Sequence, residues 1–295
     1  VDPEILIQTI LSGLAAGGLY ALVAISFGIV YRTTRVFNFA QGDFGGLGAY
    51  VAMSVTTTFH MPFWIALIAG CSTVALLAAL VERIALRPLY RYGELYTFVS
   101  TLGLAFAIEN GIQMLWGPFI LTSPSVFSHK AIILFGLRLV PEKIMVLAVS
   151  LILAGVLYLF LSRTKFGIAM RACAQDRRVA SLLGIKVDRV FMGAFALSGA
   201  VGAFAGIMIA PITYLQPTMG IQLGVPGFIA ALIGGLGSMY GAFIGGLVLG
   251  VVQALSVLVI DPRYGPIATY VVFLAVLLVR PSGLFGEEAV QGRLV

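Results

Sequence analysis

The sequence predicts an all-α fold, a polytopic bundle of transmembrane helices with eight or nine spans. Three observations lead there. Only 10% of the 295 residues are charged and 60% are hydrophobic, with a mean hydropathy of +1.05. A soluble domain carries about 25% charged residues, so a soluble enzyme or nucleic-acid binder is excluded. Apolar runs of roughly 20 residues, the length that crosses a bilayer core of ~30 Å, recur along the whole chain. Glycine supplies 35 residues, well above the usual ~7%, which suits helices packed closely in lipid.

The runs fall at 5–30, 38–57, 63–82, 95–117, 143–162, 190–211, 221–238, 241–260 and 265–280. The start, Val1-Asp2-Pro3-Glu4, is acidic and the run behind it is long, which predicts a retained first span and not a cleaved signal. The seventh run contains Gly224, Pro226 and Gly227. It predicts a broken or re-entrant helix, of the kind tolerated at membrane depth where it is buried in protein or lines a cavity. Residues 234–250, GGLGSMYGAFIGGLVLG, predict a tight turn between two closely packed helices. Gly–x3–Gly pairs at Gly13/Gly17, Gly42/Gly46, Gly202/Gly206, Gly237/Gly241, Gly241/Gly245 and Gly246/Gly250 predict helix contact faces, with sliding or hinging as the alternative reading. Everything belongs to one transmembrane domain, 1–295. Two loops are long: 118–142, with room for a short surface element, and 163–189.

Charge gives the orientation. When the loops are assigned alternately, one side holds fourteen of the 18 cations, including Arg32, Arg35, Arg83, Arg87, Arg91, the seven from Arg163 to Arg189, Arg280 and Arg293. The other side holds Lys130, Arg138, Lys143 and Arg263. The positive-inside rule makes the first side cytoplasmic. The N-terminus is then outside and the C-terminus cytoplasmic, which requires an odd number of crossings. The basic pI thus reports topology. Cys71 and Cys173 read as packing residues, and His60 and His129 have no ligand partners nearby, so no metal site is expected.

Polar residues inside the spans are the functional candidates. Asn38, Gln41 and Asp43 open the second span. Asp43 near an inner helix N-terminus reads equally as a cap and as a pathway residue. Glu109 and Asn110 lie near the middle of the fourth span, where Glu109 is expected to face the interior or a water path. Thr97, Ser100 and Thr101 line the start of that span or bond its backbone. No Lys or Arg lies at depth to hold a substrate carboxylate, and no acidic relay is present for ion coupling. No phosphate loop, zinc-protease or serine-hydrolase motif occurs. No catalytic constellation is present.

Residues 167–185, GIAMRACAQDRRVASLLGI, place Ala172, Asp176, Val179, Leu182 and Leu183 at helical spacing among Arg171, Gln175, Arg177 and Arg178. This predicts one short amphipathic helix, docked in a partner's groove or lying on anionic lipid. Together with NFAQGDFGGLGAY at 38–50, ERIALRPLY at 82–90, TLGLAFAIEN at 101–110, GGLGSMYGAFIGG at 234–246 and RPSGLFG at 280–286, it gives a chain that resembles the LivH-type inner-membrane permeases of ABC importers for branched-chain amino acids. The resemblance runs in order over nearly the whole chain.

That resemblance implies a bacterial inner-membrane subunit with no cofactor of its own. Its implied partners are a homologous second permease, two ATP-binding subunits that carry ATP and Mg, an external solute-binding protein and membrane lipid. It implies that the 167–185 helix couples to an ATPase, through Arg171, Ala172, Asp176, Arg178, Ala180 and Gly184. The Glu-Ala-Ala–x3–Gly pattern common at this place is met only by Ala180 and Gly184. Asn38, Gln41, Asp43, Glu109 and Asn110 are then the pathway or gating candidates. A urea or short-chain amide permease of the same family, and a stand-alone secondary transporter, are the alternatives.

Overall fold

The longest helix of the chain is also its centre. In the computed structural model, which describes residues 3–123, 132–134, 137–259, 265–280 and 283–285, α1 (Pro3–Thr34) is enclosed by other helices over most of its length. Its 32 residues extend to about 48 Å, beyond the ~30 Å of a bilayer core. A helix apolar on every side has no polar face to offer water and is buried. Leu19, Leu22, Val23 and Ala24 are accordingly closed off.

The other helices follow in order: α2 (Gln41–Thr57), α3 (Phe63–Val81), α4 (Glu94–Trp116), α5 (Pro141–Arg163), α6 (Lys165–Gln175), α7 (Arg177–Leu182), α8 (Val187–Ile209), α9 (Met219–Gly234), α10 (Met239–Val259) and α11 (Gly265–Val279). All nine expected spans fall on helices. Among the described residues, six are long and apolar enough to cross a membrane: α1, α3 with its extension to Arg91, α4, α5, α8 and α10. α2, α9 and α11 have 17, 16 and 15 residues, or about 22–25 Å. Large apolar side chains face outward on α3, α4 and α5, Ile68, Leu115 and Ile152 among them, as a bundle in lipid requires.

The seventh run corrects the expectation of a broken helix. α9 is continuous through Pro226. Proline leaves only the Gln222 carbonyl without its helical partner, a loss that packed neighbours make tolerable. The turn after α9 is as tight as expected: Gly235 (φ 96°) and Gly237 (φ 91°) take conformations that side chains resist. The loop after α4 carries a short antiparallel hairpin, β1 (Ile132–Leu134) with β2 (Leu137–Leu139). The two loops at that end are joined where Leu121 and Leu215 exchange backbone hydrogen bonds of 2.9 Å. His129, Lys130, Arg263 and Arg293 lie outside the described residues.

Glycines set the helix distances. α1 meets α10 where Gly13 and Gly17 face Gly246 and Gly250. α2 meets α8 where Gly45 faces Gly202 and Gly206 and where a methyl on Gly48 would stand 2.6 Å from Ala203 Cβ. These pairs pack within the chain. At the opposite end, the 82–90 segment is pinned by an ion pair between buried Glu82 and Arg87 (2.7 Å), and Arg87 also donates to the Asp188 carbonyl at the start of α8 (3.0 Å). Gly48→Leu and Gly250→Leu should each cost about 1–3 kcal/mol, the usual size of an overpacked core, whereas Gly103→Leu, which meets open space, should not. SDS titration of the purified protein measures all three.

Candidate functional site

The first candidate is built on the residues between α1 and α2. Arg35 ends α1 in the left-handed conformation (φ 57°), with its N–H on the Tyr31 carbonyl at 2.8 Å. That turn sends the chain back into the bundle. Val36, Asn38 and Ala40 are buried, while Phe37 and Phe39 lie half-buried on the other side.

Gln41 is fully buried and held from two sides. Its Nε2 donates to the Ser198 carbonyl at 2.9 Å. The Ser198 hydroxyl lies 2.8 Å from Gln41 Oε1 and 2.9 Å from the Ser26 carbonyl, so its one proton serves two acceptors and joins α1, α2 and α8. Asn38 Nδ2 reaches Gln41 Oε1 at 3.4 Å, and Asn38 Oδ1 is buried without a partner.

Asp43 sits in the first turn of α2 and packs on Gly220, in the first turn of α9. A side chain at Gly220 would overlap the carboxylate. Beside it a methyl on Gly42 would stand 2.7 Å from Gly224 Cα. Two helix N-termini, each carrying partial positive charge, thus converge on one acid. Asp43 is only 4% exposed and forms no ion pair among the described residues. No side-chain hydrogen bond caps the start of α2.

Glu109 is half-buried on α4 and close enough for its charge to act on Asp43. Asn110 is not brought in. It is exposed, and its amide donates to the Phe106 carbonyl of its own helix at 2.8 Å. Neighbours on a helix point about 100° apart, so the two residues do not share a face. Thr97 and Thr101 are buried, and the Thr101 hydroxyl lies 3.2 Å from the Phe37 carbonyl and 2.8 Å from that of Phe98.

The second candidate is the basic loop. The structure corrects its single helix to two, broken at Asp176. Asp176 is extended (φ −155°) and its carboxylate accepts from the N–H of Arg178 (2.7 Å) and Val179 (3.0 Å). This is an N-cap, and aspartate is among the residue types preferred there. Arg171 donates to the Leu161 and Ser162 carbonyls at 2.6 and 3.3 Å and braces α6 against the end of α5. Ala172 packs on the core and Ala180 is buried.

Gly184 (φ 83°) closes α7: its N–H meets the Ser181 carbonyl at 3.0 Å and the Ile185 N–H meets that of Ala180 at 3.1 Å. This is a Schellman stop, which needs a left-handed residue. Exposed around α7 are Arg178, Val179, Leu182 (87%) and Leu183 (75%). Of the six expected coupling residues, then, Arg178 and Gly184 lie on the exposed surface, Asp176 is exposed but spent as a cap, and Arg171, Ala172 and Ala180 hold the helix pair in place.

Sequence reasoning missed Arg177. Its guanidinium donates to the Thr34 carbonyl at the end of α1 and lies 4.9 Å from the Phe191 ring of α8. It shares a cleft of about 480 Å³ with Thr34, Arg35, Tyr90 and Gln175. A second cleft of about 650 Å³ holds Arg83, Arg87, Lys186, Asp188 and Arg189. The signal was there, a basic residue directly after a cap, but nothing in the sequence names its distant partners.

Two outcomes follow. Gln41→Ala removes two buried hydrogen bonds to Ser198 and should cost about 1–3 kcal/mol in total, read by SDS titration. The two N–H donors hold the Asp176 carboxyl below the usual carboxylate range. The cap is therefore complete at neutral pH and lost as pH falls through that lowered value. Protection from hydrogen exchange at Arg178 and Val179, relative to the intrinsic rate at each pH, should fall there, and at all pH values in Asp176→Ala.

A family described as the permease component of branched-chain amino acid transport systems matches residues 9–280. The chain is 31% identical to the high-affinity branched-chain amino acid transport permease LivH of Salmonella typhimurium, over 97% of each chain. It is 30% identical to BraD, the permease of the same description in Pseudomonas aeruginosa, over 98% and 99%. PsaBC from Streptococcus pneumoniae, solved with a Fab, has a TM-score of 0.46 at 14% identity over 95% of this chain and 91% of that one. The chain belongs to the family of branched-chain amino acid transport permeases.

Proposed function

We propose that the chain is the membrane-spanning subunit of an ATP-driven importer that moves branched-chain or other hydrophobic amino acids. The observation that carries this is the end-to-end similarity to permeases named for that transport. In this reading the chain works in the bacterial inner membrane beside a homologous permease, two ATP-binding subunits and an external solute-binding protein. ATP and Mg belong to the ATPases. All nine apolar helices then cross or enter the membrane, with the N-terminus outside and the basic end of the bundle in the cytoplasm. Urea or amide transport, and transport by this chain alone, have no observation in their favour.

The geometry suits the mechanism. α7 is the coupling element, and the ATPase meets its exposed Arg178, Val179, Leu182 and Leu183. Arg177 links α7 to the ends of α1 and α8, so a shift of α7 reaches the Arg35 turn and, six residues on, Gln41. Asn38, Gln41, Asp43 and Glu109 are the polar part of the pathway.

Reconstitution tests the reading. Proteoliposomes with both permeases, both ATPases and the binding protein should take up leucine only with ATP and binding protein present. Uptake by this chain alone, or uptake of urea and not leucine, overturns it. Leu182→Asp with Leu183→Asp should leave the membrane subunits assembled and abolish solute-stimulated ATP hydrolysis.

A further inference from the structure

Six aromatic rings from four parts of the chain meet just beyond the polar centre, toward the basic end of the bundle. Phe27 and Tyr31 come from the last turns of α1, Phe37 and Phe39 from the segment before α2, Phe98 from the start of α4 and Phe228 from α9. Phe228 is the hub, with centroids 5.4 Å from Phe27, 5.9 Å from Phe37 and 5.3 Å from Phe39. Phe39 continues to Phe98 at 5.0 Å, edge to face, and Tyr31 stacks on Phe37 at 4.5 Å. These are the spacings of attractive ring pairs.

The placement is particular. In Val36–Gln41 the residues alternate, so that Asn38 and Gln41 enter the polar centre while Phe37 and Phe39 enter the ring cluster. One six-residue segment serves both. All the rings except Phe27 are half-buried in this chain, and Phe37 and Phe39 adjoin the polar groups through Asn38 and Gln41. Its hub follows Pro226 and Gly227 directly, the point where α9 lacks a backbone hydrogen bond and can swing with least loss. The Thr101 hydroxyl beside the Phe37 carbonyl fixes the cluster to α4.

Resting on the transport reading, we infer that Phe37, Phe39, Phe98 and Phe228 form a hydrophobic gate that closes the pathway on the basic side of the Asn38–Gln41 centre. A ring-lined constriction excludes water and ions until it is opened, and it presents an apolar surface to a solute whose side chain is apolar. Displacement of the Phe37–Phe39 segment opens it, through the Arg35 turn that Arg177 and Thr34 connect to α7. The rings are thus gating residues on the path of hydrophobic amino acids.

The complete importer in proteoliposomes provides the test. Loaded with leucine and without ATP, vesicles carrying Phe39→Ala or Phe228→Ala should leak about tenfold faster than wild type, the rate change that roughly 1.4 kcal/mol of barrier gives. Phe228→Leu, which keeps the apolar bulk, should restore the seal, and Phe106→Ala, an exposed ring elsewhere on α4, should change nothing. Wild-type leak in Phe39→Ala and Phe228→Ala complexes that assemble normally overturns the gate.

If those variants fail to assemble, Phe39→Cys with Phe228→Cys, in a background lacking Cys71 and Cys173, replaces them. A short reducible thiol cross-linker should then stop ATP-driven uptake, and its removal should restore it. Unchanged uptake in the cross-linked complex also overturns the gate. In either case ATP-driven uptake by the wild-type complex leaves the transport reading standing. A wild-type complex that never transports brings both down.

Discussion

The closeness of α2 to α8 and α9 governs the rest of the structure. Small residues face small residues along both contacts: Gly45 on Gly206, Gly48 on Ala203, Gly42 on Gly224, Asp43 on Gly220. In lipid no hydrophobic force drives helices together, so packing contact and hydrogen bonds must do so. The close approach brings Gln41 to the Ser198 carbonyl and lays two helix N-termini against Asp43. With larger residues at these glycines, the acid would lose the helix ends that stabilise it and Gln41 would lose its partners. The polar centre follows from the packing.

The basic end is built on a different interaction. There the backbone carbonyls at helix ends are taken up by arginines: Arg171 on Leu161 and Ser162, Arg177 on Thr34, Arg87 on Asp188. Arg171 and Arg177 bond carbonyls that a helix C-terminus leaves unpaired, and Arg87 reaches a carbonyl in the first turn of α8. The positive charge that reads from sequence as topology is thus also the bracing of α6 and α7. Because the brace from Arg177 ends on the residue before the Arg35 turn, the proposed docking surface and the polar centre are mechanically adjacent. No long chain of contacts is needed between them.

Much of this was legible, for physical reasons. Span length and apolar content mark a helix wherever the solvent is lipid, so all nine runs fell on helices. Glu109 and the residues around Asp43 stood out because charge at membrane depth is rare. The continuity of α9 did not, since Pro226 reads as a break until the packing around it is known. Asn110 lies on a different face from Glu109, because one residue along a helix turns about 100°. The single amphipathic helix overlooked Asp176, whose capping signature was visible. Arg177 and the ring cluster rest on pairings of residues up to 201 positions apart (Phe27 with Phe228), and neither composition nor periodicity carries such information.

The charge balance of the centre bears on what it can hold. Asp43 lies against the start of α9, Glu109 is a second acid on α4, and neither forms an ion pair among the described residues. A zwitterionic amino acid brought here finds amide groups and rings but no countercharge for its carboxylate. It is accommodated weakly on the polar side and by apolar contact on the other. Weak holding suits a conduit, because a solute bound tightly at mid-membrane would have to be released against that same affinity in every cycle. Discrimination between solutes must then be exercised before the membrane is reached, by a subunit that binds tightly and releases only on docking. Under the proposed function that subunit is the external binding protein, and the scarcity of charge within this chain is the reason the importer requires one.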